Sequence, residues 1–217
     1  MKPELTVESL CKEAYKFAKA ESERDEPSLF GVTDGKAVGT YVEHKLQKRL
    51  ESKYSYQKGS SASGIDFPLL DVDTKVTSIV QPQSSCPFKS ARQKIFGLEY
   101  SLLVFVYEKE DNSKLKTARL KFLHVIYVDK TRTGDFQTTM GLRQILKNDS
   151  NIDDIVAFME DKHLPIDEIQ ANKIAKEILK SPPEIGYLTI SNALQWRLQY
   201  RRVIEKAGQV EGVRKIL

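Results

Sequence analysis

The sequence has few of the features that secreted, membrane-bound or zinc-binding proteins require. It contains two cysteines, Cys11 and Cys86, which lie far apart and form no CxxC pair. This spacing predicts reduced thiols rather than a disulfide framework and favours a cytoplasmic protein. The three histidines are scattered along the chain, which argues against a His-rich metal site.

A membrane-spanning segment and a nucleotide-binding motif are also missing. The longest apolar run, SLLVFVY at 101–107, is far shorter than the ~20 residues of a transmembrane helix. The chain contains no P-loop and no GxGxxG pattern, so no nucleotide cofactor is expected. What is present is 40% hydrophobic and 29% charged residues with a net charge of +4. This mildly basic balance permits a nucleic-acid partner without requiring one.

The order of the predicted elements indicates an α/β fold. Side-chain periodicity and turn residues predict, in chain order, helices at 4–22 and 37–54, a strand at 69–80, a short helix at 89–98, strands at 100–109 and 115–130, and helices at 134–147, 151–162, 167–180 and 189–207. We therefore expect one domain of 217 residues with a central mixed β-sheet flanked by helices, followed by a helical C-terminal region.

Charged residues interrupt the first predicted strand, in the stretch GIDFPLLDVDTKVTS at 64–78. Alternation along the strand puts Asp73 and Lys75 on the same face. Asp66 precedes a bend at Phe67–Pro68, which lets its carboxylate turn towards that of Asp73. Two converging carboxylates suit Mg²⁺, and a neighbouring lysine adds a compact positive charge beside a phosphate. The alternative is an ordinary solvated strand face, which is the usual meaning of an isolated D-x-K.

The spacing of Asp66 and Asp73-Thr74-Lys75 resembles the PD-(D/E)xK nuclease superfamily, which includes most type II restriction endonucleases. It is also similar to the methyl-directed mismatch-repair nickase. The resemblance covers residues 37–128 as a restriction-endonuclease-like catalytic core. It implies that Asp66 and Asp73 bind Mg²⁺, that Lys75 positions the attacking water and that Glu43 completes the metal site from the preceding helix. Ile65 stands where the motif has its proline.

The motif can also be aligned with Asp71 in place of Asp73, and the fold is compatible with more than one function. If Asp71 were the metal ligand, the residue two positions later would be Asp73 rather than a lysine, so Asp73 is preferred. The resemblance implies a Mg²⁺-dependent type II restriction endonuclease that cuts double-stranded DNA, leaves 5′-phosphates and acts as a homodimer. The alternatives are a strand-nicking repair endonuclease of the same fold and a non-catalytic DNA-binding protein.

Polar and basic residues in three stretches are candidates for DNA contacts, because amides and arginines read base edges while lysines and hydroxyls hold phosphates. The candidates after the catalytic strand are Gln81, Gln83, Ser84, Ser85, Lys89, Arg92, Gln93 and Lys94. Those of the last predicted helix are Thr189, Ser191, Asn192, Gln195 and Arg197, with Gln199 also on its polar side. Arg132, ahead of a predicted helix N-terminus, is a candidate phosphate contact. The region 134–217 is thus expected to contact DNA and to supply the dimer interface. The alternatives are a surface loop, a capped turn and an amphipathic helix packed on the core.

Overall fold

The computed structural model describes residues 2–59, 64–86, 89–191 and 196–217. The elements in these ranges are α1 (Val7–Ser22), β1 (Asp25–Glu26), α2 (Gly35–Lys53), β2 (Val72–Ser78), β3 (Gln83–Cys86), α3 (Arg92–Phe96), β4 (Ser101–Asn112), β5 (Thr117–Val128), α4 (Phe136–Leu146), α5 (Ile152–Asp161), α6 (Glu168–Lys180), β6 (Thr189–Ile190), β7 (Trp196–Gln199), α7 (Arg201–Lys206) and β8 (Val213–Lys215). The elements predicted before residue 181 are confirmed with small shifts in their bounds. None of the helices in the described ranges is long and apolar enough to cross a membrane.

A mixed sheet forms the centre of the fold. Its strand order is β1-β5-β4-β2, with β8 paired to the end of β5. Strands β2 and β4 run parallel, while β5 is antiparallel to β4. Residues 102–106 of β4 are fully buried on both faces of the sheet, as the continuous apolar run predicted. The predicted fold class, a central mixed sheet flanked by helices, is confirmed and is compatible with a restriction-endonuclease-like core.

Helices α1 and α2 cover one face of this sheet. Phe17 of α1 packs against Phe105 and Phe122 of the sheet, with ring centroids 6.0 and 6.1 Å apart. Glu13 of α1, which is 2% exposed, accepts hydrogen bonds from Arg49 and Lys53 of α2 at 2.9 and 2.7 Å. Because one buried carboxylate holds two cations of the neighbouring helix, α2 is fixed in position relative to α1.

A second, smaller sheet covers the opposite face of the central sheet. It consists of β3, β7 and β6 in that order, all antiparallel. The helix predicted over 189–207 is therefore wrong: this segment contains β6, β7 and the short helix α7. The physical reason is that burial alternates with every residue, as in a β-strand: Trp196, Leu198 and Tyr200 are buried, whereas Arg197 and Gln199 are exposed. Within the described part of the C-terminal region, the helices are α4, α5, α6 and the short α7.

Candidate active site

The chain turns back on itself just before β2 and brings two acidic side chains together. Phe67 and Val72 exchange backbone hydrogen bonds of 3.0 and 3.2 Å across this turn. As a result, an Oδ atom of Asp66 accepts a hydrogen bond from the backbone N–H of Thr74 at 2.9 Å. The backbone N–H of Asp66 in turn donates to the carboxylate of Asp73. Local backbone geometry therefore holds the two predicted acids side by side.

Asp73 and Lys75 form an ion pair on one face of β2. The Nζ atom of Lys75 lies 2.7 Å from Oδ2 of Asp73, and the two side chains are only 20% and 7% exposed. Burial raises the pKa of Asp73, and the negative charge of Asp66 raises it further, although the positive charge of Lys75 acts in the opposite direction. Burial alone would lower the pKa of Lys75, but the interaction with Asp73 overrides it and raises that pKa. Lys75 is therefore protonated at neutral pH.

Glu43 joins this pair from α2. A Cβ atom built on Gly39, one turn earlier, would make ordinary van der Waals contact with the Cβ of Val76 at 4.0 Å, so this part of α2 packs against β2. Burial first, and then the negative charge of Asp66 and Asp73, raises the pKa of Glu43 to about 7. We refer to Glu43, Asp66, Asp73 and Lys75 as the acidic centre.

The donor set of the acidic centre is compatible with a hard cation. Carboxylate oxygens are the ligands that Mg²⁺ prefers, and this ion is usually bound by one or two carboxylates and several waters. Among the described residues, no three His, Cys, Asp or Glu side chains are already grouped closely enough to hold a metal ion. Lys75 instead takes up one oxygen of Asp73. The pKa of Glu43 is raised by burial and, to a smaller extent, by the negative charges of Asp66 and Asp73, which a bound cation would offset.

Asp71 is turned to a different partner. It lies in the turn before β2 with φ 51°, in the left-handed region. Its exposed carboxylate lies 3.2 Å from Nζ of Lys130. This pairing supports the motif register that uses Asp73.

A polar cleft of about 640 Å³ opens beside the acidic centre, and Glu43 and Lys75 both line it. The predicted DNA contacts that line it as well are Gln81, Gln83, Ser84, Ser85 and Arg197. Lys36 and Thr40 of α2 also line the cleft, and neither is among the predicted DNA contacts. Lys36 and Thr40 precede Glu43 by seven and three residues, and residues at this spacing share one face of a helix. Their position relative to Glu43 is therefore the sequence feature that predicts them.

Other predicted DNA contacts lie elsewhere. Gln93 and Lys94 are both 5% exposed, so they are not on an open DNA-facing surface as predicted. The reason is that the following helices cover α3: Ala91, just before α3, and Ile95 within it belong to the core that α4–α6 form. Arg92 pairs with Glu177 of α6. Exposed Lys89 lines a separate groove together with Arg92 and Glu177, away from the cleft.

The remaining candidates belong to the C-terminal part of the chain. Arg132 donates to the carbonyl oxygen of Glu211 at 3.1 Å and to Glu184 at 3.0 Å. It is therefore held by internal partners, contrary to the open phosphate contact that was predicted. Thr189 lies in β6, and the hydroxyl of Ser191 accepts a hydrogen bond from the backbone of Arg197 at 3.1 Å. The predicted contacts at Asn192 and Gln195 lie outside the described residues.

A mixed α/β core with carboxylates and a lysine beside a polar cleft is compatible with the restriction-endonuclease class of nucleases. Comparison with known proteins identifies the family. The family model described as "Type II restriction enzyme NspV" matches residues 4–215, and the chain belongs to this family. A curated relative, the type II restriction enzyme NspV of Nostoc sp. (strain ATCC 29411 / PCC 7524), is 64% identical over 209 residues, which cover 96% of this chain and 95% of the relative. No solved structure matches the chain.

Family membership confirms the predicted activity class. The protein is a type II restriction endonuclease, a hydrolase that acts on double-stranded DNA at specific sites. Type II restriction enzymes generally need a divalent metal ion, which agrees with the chemistry of the acidic centre.

Proposed function

We propose that this enzyme hydrolyses DNA at the acidic centre with Mg²⁺ as its metal ion, and leaves 5′-phosphate and 3′-hydroxyl ends. Asp66 and Asp73 are the principal metal ligands, Glu43 assists them, and Lys75 positions the attacking water. The observation that carries the proposal is that the turn before β2 holds Asp66 against the β2 backbone beside the Asp73–Lys75 ion pair, and that Lys75 and Glu43 line one polar cleft.

The residues of the centre have complementary roles in this reaction. When bound, the divalent ion supplies Lewis-acid polarisation of a phosphodiester oxygen and makes water more acidic. Lys75 is protonated because of its ion pair with Asp73. It therefore acts as a hydrogen-bond donor to the water and to the phosphate oxygens that gain charge, and not as a general base. The hydrogen bond from Thr74 holds Asp66 in the orientation that brings it to Asp73.

We propose a homodimer as the active form. One chain contains one acidic centre, whereas a double-strand cut requires two reactions related by the symmetry of the site. The region 134–217 is proposed to contribute to the dimer interface, and the two free thiols support a cytoplasmic location. A strand-nicking enzyme would convert supercoiled plasmid to open circles, whereas a dimer would yield linear DNA. Sedimentation with and without DNA would measure the oligomeric state.

Substitutions within β2 and its preceding turn test the assignment of the centre. We expect Asp73→Asn and Lys75→Ala to lower the cleavage rate by at least roughly 100-fold, while DNA binding in Ca²⁺ is retained. Asp71→Asn is the matched control, because it removes a nearby exposed carboxylate and asparagine tolerates the left-handed conformation. Cleavage at the wild-type rate by Asp73→Asn would show that the acidic centre is not the catalytic site.

A further inference from the structure

The small sheet beside the cleft has two chemically different faces. Its inner face packs on the central sheet through buried side chains, which are Cys86, Ile190, Trp196, Leu198 and Tyr200. Ser84 also points inwards, with its hydroxyl 2.5 Å from that of Tyr200. The inner face is thus a packed core surface, which makes the sheet rigid.

The outer face carries aligned polar side chains. In the register of the strands, Gln199 lies between Gln83 on one side and Thr189 on the other. Arg197 lies opposite Ser85. Alternation along the strands places these residues on the same face, and Ser85, Arg197 and Gln199 are exposed. No residue of β3, β6 or β7 is acidic. We refer to these five residues as the polar face.

The polar face is tied directly to the catalytic strand. Thr77, two residues after Lys75 on β2, accepts a hydrogen bond from the backbone N–H of Gln83 at 3.0 Å. Its hydroxyl lies 3.1 Å from the carbonyl oxygen of the same residue. Gln83, Ser85 and Arg197 also line the cleft that contains Lys75. A DNA duplex whose phosphate reaches the acidic centre therefore passes beside the polar face.

We propose that the polar face reads base edges in the major groove, with Arg197 contacting a guanine and Gln83 and Gln199 contacting adenines. The major groove admits an antiparallel β-ribbon, and it presents the N7 and O6 acceptors of guanine and the N7 and N6 groups of adenine. Arginine and glutamine have the matching bidentate geometry. This inference rests on the proposed function, because the same DNA must occupy the acidic centre.

The first experiment identifies the sequence preference of the wild-type enzyme and of Arg197→Ala. Both proteins are incubated with Mg²⁺ and a library of random DNA sequences, and the product ends are sequenced. We expect Arg197→Ala to lose its preference at a guanine of the site and to cut the original site about 5- to 150-fold more slowly. Gln199→Ala should lose its preference at an adenine by a similar factor. Both side chains are exposed, so neither truncation opens the core.

The second experiment removes the partner atom from the DNA. A 7-deazaguanine at the position identified lacks the N7 acceptor, and it should slow the wild-type enzyme but not slow Arg197→Ala further, because that variant has already lost the contact. Arg119→Ala and Gln209→Ala are the matched controls. Arg119 lies on β5, where it pairs with Asp25, and Gln209 is an exposed residue that follows α7. Both controls should retain the full effect of the modified base.

Three results would overturn the proposal. Arg197→Ala could weaken DNA binding equally on all sequences and reduce the slope of the logarithm of the binding constant against the logarithm of salt concentration by about one. This result would indicate a phosphate contact. The variant could leave cleavage unchanged, or it could respond to 7-deazaguanine as the wild type does. The library selection is repeated with Asp73→Asn in Ca²⁺, reading bound rather than cut DNA. This separates the two proposals, because base preference is then measured without catalysis, whereas normal cleavage by Asp73→Asn refutes only the acidic centre.

Discussion

Replacing Glu43 by glutamine should stabilise the metal-free enzyme while it impairs cleavage. In the folded protein, burial and the charges of Asp66 and Asp73 raise the pKa of Glu43 from 4.5 to about 7. The folded state therefore binds this proton more tightly than the unfolded state does. The stability of the wild type consequently falls as the pH rises from about 4.5 to about 7, and the whole contribution is lost above pH 7. Glutamine does not titrate and avoids this loss.

The expected magnitude follows from the same pKa difference. A rise from 4.5 to about 7 corresponds to about 3 kcal/mol if it is fully expressed. Because Glu43 is only half-buried at the wall of an open cleft, screening by water lowers the expected gain to about 1–2 kcal/mol. For a chain of this size, that gain raises the unfolding midpoint by roughly 2–8 °C. Cleavage in Mg²⁺ should fall by about 10- to 100-fold, because Glu43 assists the other ligands.

The assay is denaturant unfolding in EDTA at pH 4 and pH 8. Glu43→Gln should be more stable than the wild type at pH 8, and the two should converge at pH 4, where Glu43 is protonated in both states. Ca²⁺ should reverse the order at pH 8, because the cation stabilises the wild type more than the variant. Glu160→Gln, on the exposed side of α5, is the control and should show neither effect. A variant that is less stable than the wild type at pH 8 in EDTA would refute the electrostatic reasoning.

Three other substitutions have defined outcomes. Glu13→Gln should cost about 2–4 kcal/mol in denaturant unfolding at pH 7, because it leaves two cations of α2 without their buried partner. The pKa of Glu13 is lowered to about 2, so the difference from the wild type should shrink as the pH falls from about 4.5 towards 2. Asp135→Ala should cost about 2–3 kcal/mol in the same assay, since this carboxylate caps α4 and also accepts from the backbone of Ile190 at 2.8 Å; an unchanged midpoint would contradict this. Lys75→Ala should bind Ca²⁺ roughly tenfold more tightly by calorimetry, because Asp73 loses its ion-pair partner; weaker binding would show that Lys75 helps to hold the metal.

Local patterns in the sequence predicted the central part of the fold and the proximity of Asp66, Asp73 and Lys75. The apolar run of β4 and the spacing of helices α1, α2 and α4–α6 are long enough for their periodicity to be decisive. Asp66, Asp73 and Lys75 lie within ten residues of one another, so one turn and one strand bring them together. Glu43 required the resemblance to a nuclease family, because its distance from β2 depends on how α2 packs.

The errors arise where short segments depend on distant partners. In the segment after residue 188, the spacing of leucine, arginine and glutamine is also compatible with a helix. Pairing with β3, which is distant in sequence, stabilises the strand conformation instead. Similarly, the polar sequence of α3 predicted an exposed DNA contact, but packing of α4–α6 buries Gln93 and Lys94. A helix of five residues is too short for its own pattern to reveal which of its sides is covered.

Strand β2 connects the proposed recognition face directly to the proposed catalytic centre. Asp73, Lys75 and Thr77 stand at alternate positions and therefore share one face of the strand. The first two belong to the acidic centre, and the third holds the backbone of Gln83 at the start of the polar face. If both proposals hold, a displacement of β3 by mismatched DNA would reach Lys75 through one strand segment. Since a misplacement of about 1 Å is enough to slow catalysis 100-fold, this connection would let incorrect sequences be rejected at the chemical step as well as at binding.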